Sequence, residues 1–201
     1  MSSTQQLPTS KSSEQPGDLA TVCLVRYGAM PQVGRFTATP RLIAPDTTSL
    51  VGHSVVVTTE RGIELGQLLS ILPKGAGEEH AMTGEIQRIA TADDISTSQR
   101  QRTECDGEFE TWLDRIKDWD VQLQLLDIEK TLEGDQVILY VLNDQDAETT
   151  RLALLTAAAG YGIVHVQPVT AEGVTPIGKP SSGGGCGSGG GGCGSGGCGS
   201  K

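Results

Sequence analysis

Residues 55–67 read Val-Val-Val-Thr-Thr-Glu-Arg-Gly-Ile-Glu-Leu-Gly-Gln, two runs rich in β-branched and aliphatic residues that meet at Glu60-Arg61-Gly62. Apolar runs of this length on either side of a short glycine-bearing turn are the signature of a β-hairpin. The same pattern lies upstream, where runs at 21–27 and 32–38 meet at Tyr27-Gly28-Ala29-Met30-Pro31. Four short strands at 21–27, 32–38, 54–59 and 63–71 predict a small antiparallel barrel or folded sheet over residues 20–83.

Downstream, Pro73-Lys-Gly-Ala-Gly-Glu-Glu-His-Ala-Met-Thr-Gly84 is a polar connector, after which the rhythm changes. Residues 85–90 fit a strand, and Asp93 and Asp94 offer an N-cap for a helix that runs to about Trp119, with an interruption near Asp106-Gly107. Phe109, Trp112, Leu113, Ile116 and Trp119 recur at helical spacing and define a buried stripe. Runs at 121–130 and 136–142, joined by Leu132-Glu133-Gly134-Asp135, read as a hairpin. The second of these is apolar on both faces, as a central strand requires. The first carries Asp127, Glu129 and Lys130, charges that protect a sheet edge. A cap at Asn143 or Asp144 opens a helix through Leu152, Leu155 and Ala159 that ends at Gly160, and 161–167 supplies a last strand. The resulting order over 84–168 is the ferredoxin-like βαββαβ. The fold class is therefore α+β, a barrel-like part followed by a ferredoxin-like part.

The two ends differ in composition. Residues 1–19 are rich in Ser, Thr, Gln and Pro, the composition of a disordered leader that cannot offset its ordering entropy. Residues 169–201 read as a linker and a flexible tail that from Ser181 onward is Gly, Ser and Cys until Lys201, so removing 181–201 is expected to leave thermal unfolding of the body nearly unchanged. No apolar run approaches the ~20 residues that cross a bilayer. Five cysteines, an odd number, without a secretory leader point to a reducing cytoplasm. The net charge of -10 disfavours direct nucleic-acid binding, and any phosphate contact falls to Arg26, Arg35, Arg41 or Arg61.

Few residues carry recognisable chemistry. Cys186, Cys193 and Cys198 offer soft thiolates for zinc or an iron–sulfur cluster, with Cys105 or another chain as a source of a fourth ligand. The same three in a glycine tail also read as a segment without a stable site, because ordering so much glycine is entropically costly. Cys23 and Cys105 fit small core positions. His53, His80 and His165 share no ligand motif. Glu60, Arg61 and Glu64 resemble an acid–base group, but as charges flanking a turn they are better placed in solvent or at a partner surface. Asp93 and Asp94, like Asp144 and Asp146, read as helix caps rather than catalytic acids. The GxSxG, HExxH and GxxxxGK[ST] patterns are absent.

Three stretches carry a family resemblance: Arg26-Tyr-Gly-Ala-Met-Pro-Gln-Val-Gly-Arg-Phe36, residues 55–67 as quoted, and Ile89-Ala-Thr-Ala-Asp-Asp94. Together they resemble the polymerase-suppressor (PSP) C-terminal conserved region family, in its YaaT/RicT-like group, over about residues 21–167. The resemblance implies an adaptor or regulatory protein without catalytic activity, acting in small complexes that influence RNA maturation or turnover. It also implies cysteine-bearing C-terminal regions associated with iron–sulfur clusters. The chain departs from the family pattern at residues 157–165, which lack a basic end to the last helix and strand, and in the Gly/Ser setting of its tail cysteines.

Two functional classes follow. In one, the chain is a binding module that presents Arg26, Tyr27, Met30, Arg35, Glu60, Arg61 and Glu64 to protein partners. In the other, Cys186, Cys193 and Cys198 make it a metal- or redox-responsive factor.

Overall fold

The computed structural model describes residues 21–39, 42, 50–73, 81–142, 146–171 and 173–175. The expected leader, Arg41, His80, the cap at Asn143 or Asp144 and the tail with Cys186, Cys193 and Cys198 lie outside the described residues.

Strands β1 (Thr21–Tyr27), β2 (Gln32–Ala38), β3 (Ser54–Thr59), β4 (Gly62–Ile71) and β5 (Gly84–Ile89) close into a barrel in the order β1-β2-β5-β3-β4. The two hairpins expected from the turns at 27–31 and 60–62 form in register, with Tyr27 opposite Gln32 and Thr59 opposite Gly62. Alternation along these strands sends Cys23, Val25, Phe36, Val55, Val57, Leu68 and Ile86 into the barrel interior. Burying a large apolar side chain of this kind contributes about 1.5–3 kcal/mol.

The ferredoxin-like expectation is corrected at β5. That strand pairs in parallel with β2 and antiparallel with β3, so the strand expected to open the second unit belongs to the first. Its local pattern, one inward Ile86 among polar neighbours, suits either sheet. Gly84 fixes the choice: a Cβ there would lie 1.8 Å from the Thr58 carbonyl oxygen, so only glycine lets the strand enter against β3.

The second unit comprises α1 (Ala92–Asp118), β6 (Gln124–Lys130), β7 (Gln136–Leu142), α2 (Asp146–Ala158), β8 (Ile163–Thr170) and β9 (Gly173–Val174). Its sheet runs β6-β7-β8-β9. With β5 in the barrel, no strand separates β7 from β8, and α2 carries the chain between them so that they pair directly in parallel.

α1 starts at N-cap Thr91, two to three residues earlier than the aspartates suggest. Thr91 and Asp94 form a capping box, and Asp94 also pairs with Arg88. The helix runs through Asp106-Gly107 without the expected interruption, since one glycine costs only about 1 kcal/mol in a helix whose Cys105, Trp112 and Ile116 are packed on both sides of it. Trp112 and Ile116 are buried with Leu125, Ile128, Leu139 and Leu152, and Phe109, Leu113 and Trp119 pack around them, as the stripe predicts. α2 ends at left-handed Gly160, where Gly160 N–H donates to the Ala157 carbonyl and Tyr161 N–H to that of Thr156. β7 is the central strand, with Ile138, Leu139, Tyr140 and Val141 buried.

β6 is the outer strand of its sheet, as its charges suggest, and two of those charges are paired with α1 rather than left to solvent. Asp127 binds Arg102, and Lys130 binds Glu104 and Glu108, all from α1, which lies along β6. None of the helices among the described residues is long and apolar enough to cross a membrane.

Candidate functional site

The turns of the two barrel hairpins meet the β6–β7 strands in a polar joint. Arg61, at the β3–β4 turn, is only 3% exposed and Glu64 on β4 only 2%. Two arms of the guanidinium engage Glu64: Nη2 reaches Oε2 at 2.5 Å and Nε donates to Oε1 at 3.2 Å. The third arm, Nη1, donates to the Tyr140 hydroxyl at 2.8 Å, and that hydroxyl donates to Glu129 Oε2 at 2.6 Å. Thr59 Oγ1 donates to Glu64 Oε1 at 2.5 Å and accepts from the Arg61 backbone N–H at 3.1 Å. The guanidinium also lies against the rings of Tyr27 and Tyr140, 5.4 and 5.9 Å from their centroids.

Glycines make this approach geometrically feasible. Gly28 sits at φ 82°, and a Cβ on it would lie 3.0 Å from the Tyr140 hydroxyl and 3.4 Å from Arg61 Nη2. Gly62, at φ 122°, brings the hairpin turn against Gln136 and Thr131, where a Cβ would meet Gln136 Nε2 at 2.9 Å. Leu132 N–H donates to the Ile63 carbonyl at 2.7 Å, a backbone bond between barrel and second unit. Ala29 and Met30 pack on Ile138, Tyr140 and Val169.

The electrostatics follow from one guanidinium lying among two carboxylates. Burial works against the Arg61 charge, but Glu64, the Tyr140 hydroxyl and Glu129 together more than offset this and hold the group firmly protonated. Burial, then the neighbouring Glu64 charge, raises the Glu129 carboxyl above its ordinary value of 4.5, opposed by the bonds from Tyr140 and the Ala29 N–H. The Tyr140 hydroxyl is raised by burial and by Glu129. His165, whose Nε2 lies 2.6 Å from Gln136 Oε1, is lowered by burial and by Arg61, favouring the neutral ring. Burial pushes the Cys23 and Cys105 thiols up to about 11, so both stay protonated at neutral pH.

Two clefts border the joint. One, about 410 Å³, lies between the barrel and the α1–β6 layer and is lined by Arg26, Tyr27, Leu65, Gln67, Gln101 and Glu129 among others. Tyr27 also borders a second, about 370 Å³, with Glu60, Arg61, Val33 and Met82. Val33 and Met82 are exposed apolar side chains, 59% and 39% accessible.

The seven residues expected at a partner surface therefore divide. Arg26 and Glu60 are exposed, while Tyr27, Met30 and Arg35 are half-buried. The Arg35 Nε has no hydrogen-bond partner among the described residues. Arg61 and Glu64 are inside, so placing them in solvent or at a partner surface is corrected: the hairpin turn bearing them is itself covered by β6 and β7. Tyr140, Glu129 and Gln136 carry no motif in the sequence. The available signal is the one phenol in Val137-Ile-Leu-Tyr-Val-Leu142, since a tyrosine in a central strand requires a polar partner.

Among the described residues no cluster of His, Cys, Asp or Glu has the arrangement of a metal site. Cys105 is 2% exposed and packed in the core beneath α1. Comparisons with models of known families, with curated proteins and with solved structures return no significant match.

Proposed function

We propose that this chain is a non-catalytic adaptor or regulatory protein of the PSP, YaaT/RicT-like kind, acting through protein partners in RNA maturation or turnover. The observation that carries the reading is the Arg61–Glu64–Tyr140–Glu129 network. Its charges are directed at one another across the joint: both Glu64 oxygens are bonded to protein, and all three guanidinium nitrogens donate to protein groups. Groups committed in this way hold two units in a fixed relation, which is what a scaffold needs. The protonated, buried thiols of Cys23 and Cys105 and the Gln136-bound His165 add no activated nucleophile or base to the joint. The net charge of -10 favours protein partners over nucleic acid as the direct contact. Exposed Arg26, Glu60, Val33 and Met82 around the two clefts form the contact surface in this reading.

One observation favours a competing, catalytic reading. Glu129 borders the larger cleft with its carboxyl raised, the condition of a general acid. The alternative in which Cys186, Cys193 and Cys198 hold zinc or an iron–sulfur cluster needs a fourth ligand, from Cys105 or another chain.

The test is affinity capture of the full chain from its native host, with proteins and RNA identified, alongside Val33→Asp/Met82→Asp and Glu129→Gln variants. The adaptor reading expects RNA-processing proteins to co-purify with the native chain and with Glu129→Gln but not with the double variant. Cellular function lost in Glu129→Gln while the captured proteins and the fold are retained would overturn it in favour of catalysis.

A further inference from the structure

The larger cleft has a composition that its scaffold role leaves unused. Its walls bring apolar surface from Tyr27, Pro31 and Leu65 on the barrel to face the α1–β6 layer, and its volume of about 410 Å³ lies within the ~300–1,000 Å³ typical of small-molecule sites. Three cations and one acidic residue, Glu129, whose Oε2 accepts from the Tyr140 hydroxyl, line it in a chain whose net charge is -10. Two of them are neutralised from behind: Arg102 by Asp106 and Asp127, and Lys130 by Glu104 and Glu108.

Arg26 differs from both. Among the described residues it has no carboxylate partner; its Nη2 donates to Gln67 Oε1 at 2.6 Å, and Gln67 Nε2 is anchored on the Gly52 carbonyl at 3.1 Å. The glutamine therefore orients the guanidinium without cancelling its charge. A planar guanidinium of this kind, exposed and held by a neutral group, is suited to a carboxylate or phosphate, which it binds through two parallel N–H bonds. Gln101 lines the α1 side, and its Nε2 donates to the Thr131 and Leu132 carbonyls at 3.0 and 3.2 Å. With its N–H groups so committed, the amide oxygen is the hydrogen-bonding group of this side chain that remains, and it can only accept.

We propose that this cleft is a binding site for a small organic anion: a flat apolar body against Tyr27, Pro31 and Leu65, with a carboxylate or phosphate on Arg26. The cleft's size suits one ring system with one anionic group. The site is independent of the adaptor reading and would equally serve as an effector site on such a protein.

The experiment is a fluorescence titration of the full chain with 8-anilinonaphthalene-1-sulfonate, followed by competition with adenosine 5′-monophosphate, 1-naphthoate and neutral adenosine. The expected result is saturable binding at one probe per chain, displaced by the phosphate or the carboxylate competitor and not by adenosine; which of the two competes identifies the anionic group. Arg26→Gln, at an exposed position, weakens binding about tenfold, the loss of one charge-assisted contact. Ser98→Trp, which fills the cleft from α1, abolishes it while the melting temperature stays that of the native chain. Absence of saturable binding at millimolar probe, equal displacement by adenosine, or unchanged binding in Arg26→Gln would each overturn the proposal. If Ser98→Trp does not fold, the Arg26→Gln and adenosine arms still decide it.

Discussion

Arg61 donates to the hydroxyl of Tyr140 at 2.8 Å, a bond between a barrel turn and the central strand of the second sheet, 79 residues apart in the chain. Because the same guanidinium holds Glu64 and the same hydroxyl reaches Glu129, the bond couples four side chains from four strands or turns. A residue at a hairpin tip is ordinarily dispensable. This one is placed to set how the barrel sits on the sheet.

Replacing Arg61 with Met is expected to destabilise the fold by about 3–5 kcal/mol, since it leaves the buried Glu64 carboxylate without its cation. Tyr140→Phe, which removes a donor to Glu129 and an acceptor for Arg61, is expected to cost about 1–3 kcal/mol. Urea unfolding of both single variants and the double variant gives the coupling, and strictly additive losses would show that the two residues act separately.

Gly28→Ala should destabilise by about 1–3 kcal/mol, because alanine is strained at φ 82° and its Cβ would crowd the Tyr140 hydroxyl. A change in that range measured against Gly107→Ala, which in the interior of helix α1 with open space around it should stabilise by about 0.5–1 kcal/mol, would locate the loss in the joint rather than in glycine removal as such. Equal melting temperatures for native chain and Gly28→Ala would contradict the packing described.

Glu129 gives the joint a pH dependence whose sign can be worked out. Its carboxyl is raised in the folded protein, so above the ordinary 4.5 the fold still holds a proton that the unfolded chain has released. Stability from this group is thus fully present below the ordinary value and is lost as pH rises through the folded one. Asp94, lowered by its bonds to Arg88 and Thr91, acts in the opposite sense, present above the ordinary range and lost in acid. In Glu129→Gln the Asp94 contribution cancels against the native chain, leaving Glu129 alone. The variant should match native stability near pH ~4 and exceed it increasingly toward neutrality. Urea midpoints across that range measure the difference, and a gap that is constant with pH would refute the assignment.

The buried thiols should be chemically silent. In the full chain carrying Cys186→Ser, Cys193→Ser and Cys198→Ser, a disulfide reagent at pH 8 should titrate neither Cys23 nor Cys105 until denaturant is added, because both are buried and raised to about 11. Rapid native labelling of Cys105 would mean that the core under α1 opens readily.

Local information was sufficient for β1 to β7, the helix stripe and the turns, while the end of β8 and β9 lie in the stretch read as linker. The alternation of Val55 and Val57 or Val25 and Cys23, the 3.6-residue spacing of Trp112 and Ile116, and the left-handed Gly160 each report a neighbourhood of a few residues, and each forms as its pattern indicates. The N-cap was misplaced by the more conspicuous aspartates, although Thr91 three residues before Asp94 was a legible capping box.

What only the tertiary structure decided is where those pieces attach and which polar groups they bury. The pattern of β5 is satisfied by either sheet, and its place in the barrel rests on a contact between Gly84 and Thr58 that no sequence period encodes. Arg61 and Glu64 look like surface charges because charge beside a turn is normally solvated; they are interior because Tyr140 and Glu129, from strands closed over the turn much later in the chain, replace the water. Periodicity fixes which way a side chain faces on its own element. The partner that desolvates it is set by packing between elements, and that is a property of the folded whole.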